Sequence, residues 1–323
     1  NTTIAGIEEA DAILLVGTNP RHEATLINAR IRKTYNDKRI PIAVIGEDVD
    51  LTYPTLHAGS TLQDLQKLAH DKNSQVKAER PMMIVGMGVF QREDGQEVHG
   101  LLHDIAQKLG VIKDGWNGFN VLHNAASRMA ALEMEFAPVR HFNLDEMGLV
   151  YLLGVDNPET IESINPRSFV IYQGHHGDLG AHRADLILPG AAYTEKDGIY
   201  MNMEGRTQRG RRAIFPPGQA REDWAIIRAI SERAGQSLEV ADLSELRDQM
   251  IAAYPRLGVF DEVEPLEWAN FGGNGENISN EPLMNPIRNF YLTNVITRAS
   301  ETMRRCTEIF IEGNEQEFQE AAE

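Results

Sequence analysis

Two adjacent imidazoles, His175 and His176, lie between Gly174 and Gly177 and are followed at once by Asp178. They come directly after an apolar run, Phe169 to Tyr172, that reads as a strand. The carboxyl ends of parallel strands are where α/β proteins place ligands, and this cluster offers flexible backbone, two titratable rings and a carboxylate. A ligand site and a structural polar turn both fit it, because adjacent residues rarely direct two rings at one target. His99 and His103 stand four apart on an expected helix, a spacing at which both rings could face one metal ion. No H-E-x-x-H glutamate lies between them and no third ligand is apparent, so a partly exposed helix face is the simpler reading.

Two glycine turns have the position of phosphate-binding loops. Gly86-Met87-Gly88 follows one strand pattern and precedes a helix, but Gln91 stands where the G-x-G-x-x-G fingerprint needs its third glycine. Gly17-Thr18-Asn19-Pro20 is similar: Asn19 tolerates unusual backbone angles and Pro20 suits a first helical turn. Arg206, Arg209, Arg211 and Arg212 concentrate charge within a glycine-rich stretch, suited to an anionic cofactor, an acidic neighbouring subunit or this chain's own carboxylates. The sequence holds no G-x-S-x-G elbow, no Gly-Lys phosphate loop and no cysteine beside a histidine. From the residues alone, no catalytic constellation emerges.

The elements that must position these turns alternate along the chain. Ala12 to Val16, Ile42 to Ile45, Met82 to Val85, Leu149 to Leu153, Phe169 to Tyr172 and Leu186 to Leu188 are unbroken apolar runs. They read as parallel strands buried on both faces. Helical patterns cover Glu23 to Lys33, Leu62 to Ala69, Val98 to Leu109, Ala220 to Ala234 and Ser244 to Ala253, and the end repeats apolar residues from Ile296 to Phe310 before an acidic tail. The fold class is α/β, built from crossover units. The polar linker Asp71 to Arg80, with Pro81 opening the next strand, suggests a lobe boundary. The expected segments are an α/β lobe over 1–80, a second over 81–192, a Gly/Arg-rich loop with helices over 193–254, and an irregular segment with a C-terminal helix over 255–323. The first lobe shows only two clear strands, as if upstream chain were missing.

Composition narrows the classes further. The 323 residues carry 31 Lys+Arg against 48 Asp+Glu, a net charge of −17 that opposes nucleic acid and anionic lipid surfaces. The single cysteine, Cys306, excludes an intrachain disulfide and any iron–sulfur cluster held by this chain alone, and suits a reduced, intracellular setting. No apolar stretch approaches bilayer length, so membrane contact is expected only through a partner. The sequons at Asn1 and Asn277 read as coincidences.

A longer pattern joins these pieces. It starts at Ile7-Glu8-Glu9-Ala10-Asp11 and Gly17-Thr18-Asn19-Pro20-Arg21. It continues through Tyr172-Gln173-Gly174-His175-His176-Gly177-Asp178, then Ala184-Asp185, then Leu188-Pro189-Gly190-Ala191-Ala192-Tyr193-Thr194-Glu195. Asn202, Glu204-Gly205-Arg206, Pro217-Gly218, Ala220-Arg221-Glu222-Asp223-Trp224, Phe290-Tyr291-Leu292-Thr293 and Arg298-Ala299-Ser300 carry it almost to the end. Together they resemble the large iron–sulfur subunit of respiratory complex I, the G-type subunit of the bacterial NADH-quinone oxidoreductases, in its α-proteobacterial and mitochondrial branch. The resemblance is to the C-terminal half of that subunit, which looks like a molybdopterin oxidoreductase.

The resemblance implies two Rossmann-like lobes with mostly parallel sheets, an extended loop region and C-terminal helices. It implies a non-catalytic structural module of the hydrophilic arm, supporting NADH-to-quinone electron transfer. The 4Fe-4S and 2Fe-2S clusters are expected in an N-terminal half, which with other hydrophilic-arm subunits would be the partner; no cofactor or metal is expected here. In active relatives the loops equivalent to those ending at Gly17 and Gly174 hold a pterin nucleotide. Gly17, Asn19, Pro20, Gly174, His175, His176, Asp178 and Arg206 are therefore vestigial site candidates. The competing expectation is a pterin- or nucleotide-binding oxidoreductase domain. The implied location is peripheral to the inner membrane, on the bacterial cytoplasmic or mitochondrial matrix side.

Overall fold

The computed structural model describes residues 1–70, 77–126, 128–137, 143–264, 266, 271–272 and 278–313. Contacts divide the chain into two units: residues 1–128, 202–206 and 263–288 form the first, and 129–201, 207–262 and 289–323 the second.

In chain order the first unit holds β1 (Ala12–Val16), α1 (Pro20–Glu23), α2 (Thr25–Lys38), β2 (Ile42–Ile45), β3 (Leu56–Gly59), α3 (Leu62–His70), β4 (Pro81–Gly86), α4 (Met87–Phe90) and α5 (Gly95–Lys108), then β5 (Ile112–Lys113), β6 (Trp116–Asn117) and β7 (Phe119–Leu122). Five strands make a parallel sheet in the order β3-β2-β1-β4-β7. Alternation along each apolar strand feeds two cores. Ile13 and Leu15 point to Ile27 and Ile31 of α2, while Leu14 and Val16 point to Leu62 and Leu65 of α3 and Leu102 and Ile105 of α5. Both faces are covered, which is why these strands show no polar alternation.

The boundary expected at residue 80 does not divide two sheets. β4 pairs with β1 from Ala12↔Pro81 to Val16↔Val85. A chain leaving β3 at one edge must cross back to the centre of the sheet, which takes a long connection, and a long connection can be polar without being a domain linker. Residues 71–76 of that linker lie outside the described residues, as do Asn277 of the second sequon and most of the acidic tail. The apparent shortage of strands also resolves, since β3, β4 and β7 join the first two.

The second unit holds α6 (Arg128–Glu133) except its first residue, then β8 (Leu149–Leu153), α7 (Pro158–Glu162), β9 (Phe169–Gly174), α8 (Leu179–Arg183), β10 (Leu186–Pro189), β11 (Gly198–Met201), β12 (Thr207–Gly210), α9 (Asp223–Arg233), α10 (Leu243–Ala253), α11 (Val295–Arg298) and α12 (Glu301–Thr307). β8, β9 and β10 form a parallel sheet with β9 central. The stretch expected to be loop contains the antiparallel pair β11 and β12 instead. Its periodicity is hidden because Gly198 and Gly210 face each other to make room for the Tyr200 ring, which a Cβ at either position would meet within 3 Å.

Candidate functional site

Strand order in the first unit reverses between β1 and β4, and the crevice at the carboxyl ends of such strands is where doubly wound sheets bind nucleotides. Here the chain itself fills it. Leu283 is 2% exposed and joins the core of Val16, Ile45, Val85 and Val89, while its N–H donates to Ser60 O at 2.8 Å. Gly17 has φ +54°, and a Cβ there would lie 2.4 Å from Val89 Cγ2 and 3.4 Å from Leu283 Cβ. A Cβ on Gly86 would sit 2.2 Å from Gly17 O, and one on Gly88 would sit 3.0 Å from Met284 O. The glycines that resembled a phosphate loop admit the protein's own backbone.

Ionic anchors hold this strap, Ile278 to Arg288, at both ends. Arg92 grips Asp94 through Nε and Nη2 at 2.7 and 2.9 Å, and both are largely buried. Asp94 accepts the Ser279 N–H at 2.8 Å, and Arg92 donates to the carbonyls of Ser279 and Glu281. Its contact with Arg92, only partly offset by burial, holds the Asp94 carboxyl below its usual range. At the far end Glu47 accepts the Asn285 N–H and pairs with Arg288, each at 2.7 Å.

The turn after β1 is also occupied electrostatically. Glu23 Oε1 accepts from Asn19 N–H at 2.6 Å and Thr18 Oγ1 at 2.8 Å, and its buried Oε2 has no hydrogen-bond partner. Burial pushes this carboxyl up, against the pull of those two hydrogen bonds. Pro20 opens α1 and Asn19 caps it, accepting from Arg21 N–H, but α1 is one turn long. A phosphate here would find its donors taken by a carboxylate and no extended helix dipole to favour it.

Gly174 ends β9 under a tyrosine: a Cβ would lie 2.3 Å from Tyr172 Oη. His175 and His176 turn on each other, Nδ1 to Nδ1 at 2.7 Å, one donating and the other accepting, rather than converging on a shared target. Burial, then the neighbouring His176 and Lys196, lower the His175 pKa, which favours the neutral form of that ring. Asp178 binds Arg298, which donates through Nε at 2.8 Å and Nη2 at 2.6 Å and also bonds Asp156 after β8. One guanidinium thus clamps the turns that follow two neighbouring strands. Beside them the fully buried Gln173 bonds Asp223 Oδ1 at 2.7 Å and Tyr151, and Asp223 pairs with Lys196.

The remaining candidates are engaged locally. Arg206 donates to Glu204 Oε1 at 2.8 Å, and Glu204 also accepts the Ile4 N–H. Arg209 lies over the Phe260 ring and Arg212 over Phe215, with Glu222 3.7 Å from Arg212. His99 stacks on Phe271 at 4.2 Å, and His103 meets the same ring edge-on. No group of three or more His, Cys, Asp or Glu side chains that could hold a metal exists among the described residues. An aliphatic groove of about 600 Å³ opens at the opposite, amino-terminal end of the first sheet, lined by Pro41, Leu56 and Leu109 among others. Its lining is mostly apolar, with Tyr35, Arg39, Thr55 and Lys108 as the polar members.

Sequence reasoning missed the strap, Glu23, Glu47, Arg298 and the Gln173 network. Arg298 stood in the recognised pattern without a role. The strap bonds largely through backbone atoms, which leave little trace in side-chain type.

Residues 1–233 match the family described as molybdopterin oxidoreductase, and residues 262–306 match the C-terminal domain of the G-type subunit of NADH-ubiquinone oxidoreductase. The chain is 43% identical to the NADH-ubiquinone oxidoreductase 78 kDa subunit, mitochondrial, of Candida albicans over 96% of its length and 44% of that protein. It is 40% identical to the G-type subunit of NADH-quinone oxidoreductase from Rickettsia bellii, over 95% of this chain and 45% of that one. Identity is also 40% to NADH dehydrogenase [ubiquinone] iron-sulfur protein 1, mitochondrial, of Solanum tuberosum, over 95% and 42%. The chain spans less than half the length of these curated relatives. Both the strap beyond residue 278 and Arg298 fall within the matched C-terminal domain.

Proposed function

From the premise that the chain belongs to the molybdopterin oxidoreductase family and carries the C-terminal domain of the G-type complex I subunit, we propose that it is a non-catalytic structural module of the NADH-quinone oxidoreductase hydrophilic arm. The observation that carries this reading is the filled crevice. Where a family member would seat a pterin nucleotide, this chain places Leu283 to Pro286 and the Glu23 carboxylate. The residues present do not fit that group.

Support for electron transfer is then mechanical. A chain with one cysteine cannot assemble the four-thiolate ligand set of a cluster, so the carriers belong to the part of the relatives outside the matched stretch. Each α/β unit, with its own packed core, offers a surface against which a cluster-bearing domain and other arm subunits can be fixed, which keeps electron-transfer distances constant. No helix among the described residues is long and apolar enough to cross a membrane. The module would be held peripherally, through its complex, on the cytoplasmic or matrix side.

The test is complementation of a complex lacking this chain. NADH-driven quinone reduction should fall to background without it and return on its restoration, while the purified chain oxidises no NADH. Full quinone reduction in its absence would overturn the proposal.

A further inference from the structure

The groove at the amino-terminal end of the first sheet, about 600 Å³ in volume, lies away from the filled crevice and has no part in it. Its floor is made by the starts of three strands, through the buried side chains of Ile13 in β1, Ile42 in β2 and Met82 in β4. Two prolines keep that floor apolar. Pro41 precedes β2 and Pro81 opens β4, so neither position has an N–H to satisfy. Their carbonyls already accept from the Ile13 N–H at 3.0 Å and from Trp116 Nε1 at 2.7 Å. Leu56 of β3 and Leu109 after α5 add hydrocarbon to the walls, and Leu56 has 66% of its surface in water.

Among the described residues that line the groove, the charged ones are both cations, Arg39 and Lys108, on a chain of net charge −17. Arg39 follows α2, which packs on one face of the sheet, and Lys108 ends α5, which packs on the other, so a cation stands on each side. Both are exposed, and each has an aliphatic stem that can lie against hydrocarbon while its charge stays in water. The Arg39 guanidinium lies over the Tyr35 ring, 5.1 Å from its centroid, a contact that orients the charge without neutralising it.

We propose that this groove binds a long-chain fatty acid, its hydrocarbon tail lying over the strand starts and its carboxylate held at the cationic rim of Arg39 and Lys108. Size, lining and charge each narrow the ligand. The volume falls in the range of about 300–1,000 Å³ usual for small-molecule sites. The lining is aliphatic apart from Tyr35, whose ring Arg39 covers, so a flat quinone or base finds little to stack on and a methylene chain fits better. With no acidic side chain among the described lining residues, an anionic head is favoured over a neutral or cationic one. An apolar peptide would bury similar hydrocarbon but make no use of the two cations.

The test titrates cis-parinarate, a fatty acid whose fluorescence rises in apolar surroundings, into the purified chain below its micellar concentration and displaces it with oleate. A single saturable site is expected. Across unbranched acids from decanoate upward, each added methylene should tighten binding by about three- to fourfold until the groove is full. Leu56→Glu puts a carboxylate in the exposed wall and should weaken binding at least about tenfold while leaving the melting transition in place. Arg39→Gln/Lys108→Gln should weaken oleate by about tenfold yet leave uncharged methyl oleate unchanged. Phe169→Glu, at a position 46% exposed in the second unit, should change nothing. Absence of saturable binding overturns the proposal. Binding that survives both groove variants, or that Phe169→Glu abolishes, places the acid elsewhere and overturns it too. A probe bound by the free chain but not by the chain in the assembled respiratory complex assigns the groove to a polypeptide neighbour and likewise overturns it. The structural-module reading stands under each of these results.

Discussion

The first unit closes the carboxyl ends of its strands with a strap that buries Leu283 in the core between two ion-paired ends, the second with a guanidinium held between two carboxylates and, among the described residues, no buried side chain of that kind. Leu283 is almost fully buried, whereas Arg298 and Asp156 keep more than a quarter of their side-chain surface in water. Burial of a leucine is insensitive to salt and nearly insensitive to pH; a part-exposed ionic clamp is neither. The same closing task is thus solved by two terms of physical chemistry that respond to different perturbations, which allows the units to be unlocked separately.

The largest expected effect is on the strap. Leu283→Ala should destabilise the first unit by about 2–5 kcal/mol, through lost burial and the cavity left against Val16 and Val89. Hydrogen exchange would show faster opening of β1 and β4, with β8 and β9 unchanged. Next comes Arg298→Ala, which leaves Asp156 and Asp178 facing each other without a cation and should cost the second unit about 1–3 kcal/mol. That loss should shrink in 1 M salt, where the screening length is about 3 Å, and the Leu283 effect should not.

Acid sharpens the contrast within the first unit. Asp94 has its pKa lowered by Arg92, so its contribution is fully present above the unfolded value of about 3.9 and is lost as pH falls through the lower folded value. Denaturant melts between pH 5 and pH 2 should show that decline, and Asp94→Asn should flatten it. Glu23 has the opposite sign: its raised pKa means the folded state prefers the proton, so its cost is complete above the folded value and absent below the unfolded one. Glu23→Gln should therefore stabilise at pH 8 by no more than about 1 kcal/mol and make no difference near pH 3.

Much of the frame was legible. Ala12–Val16, Ile42–Ile45 and Leu149–Leu153 stand where their apolar runs placed them, because a buried parallel strand writes itself as consecutive aliphatic residues. Leu56–Gly59 and Phe119–Leu122 were missed: His57 and Asn120 interrupt them, and they lie at the two edges of the sheet, where burial is incomplete. The same apolar signature in Leu149–Leu153 and Phe169–Gly174 predicted cover on both faces, yet only one face is covered among the described residues. A strand's composition records that it will be buried, not which polypeptide buries it. Of the candidate site, Gly17, Gly174, His175, His176 and Asp178 lie at strand carboxyl ends as expected, but what they touch depended on partners far along the chain, Leu283 and Arg298, whose own neighbours give no hint of the pairing.

The central claim, that the crevice between β1 and β4 is filled by this chain and takes no nucleotide, is tested most directly by calorimetric titration of the purified protein with a pterin guanine dinucleotide, alongside the Leu283→Ala protein. The account predicts no saturable heat from the unaltered chain. Saturable, stoichiometric binding that is lost on altering Gly17 or Thr18 would contradict it.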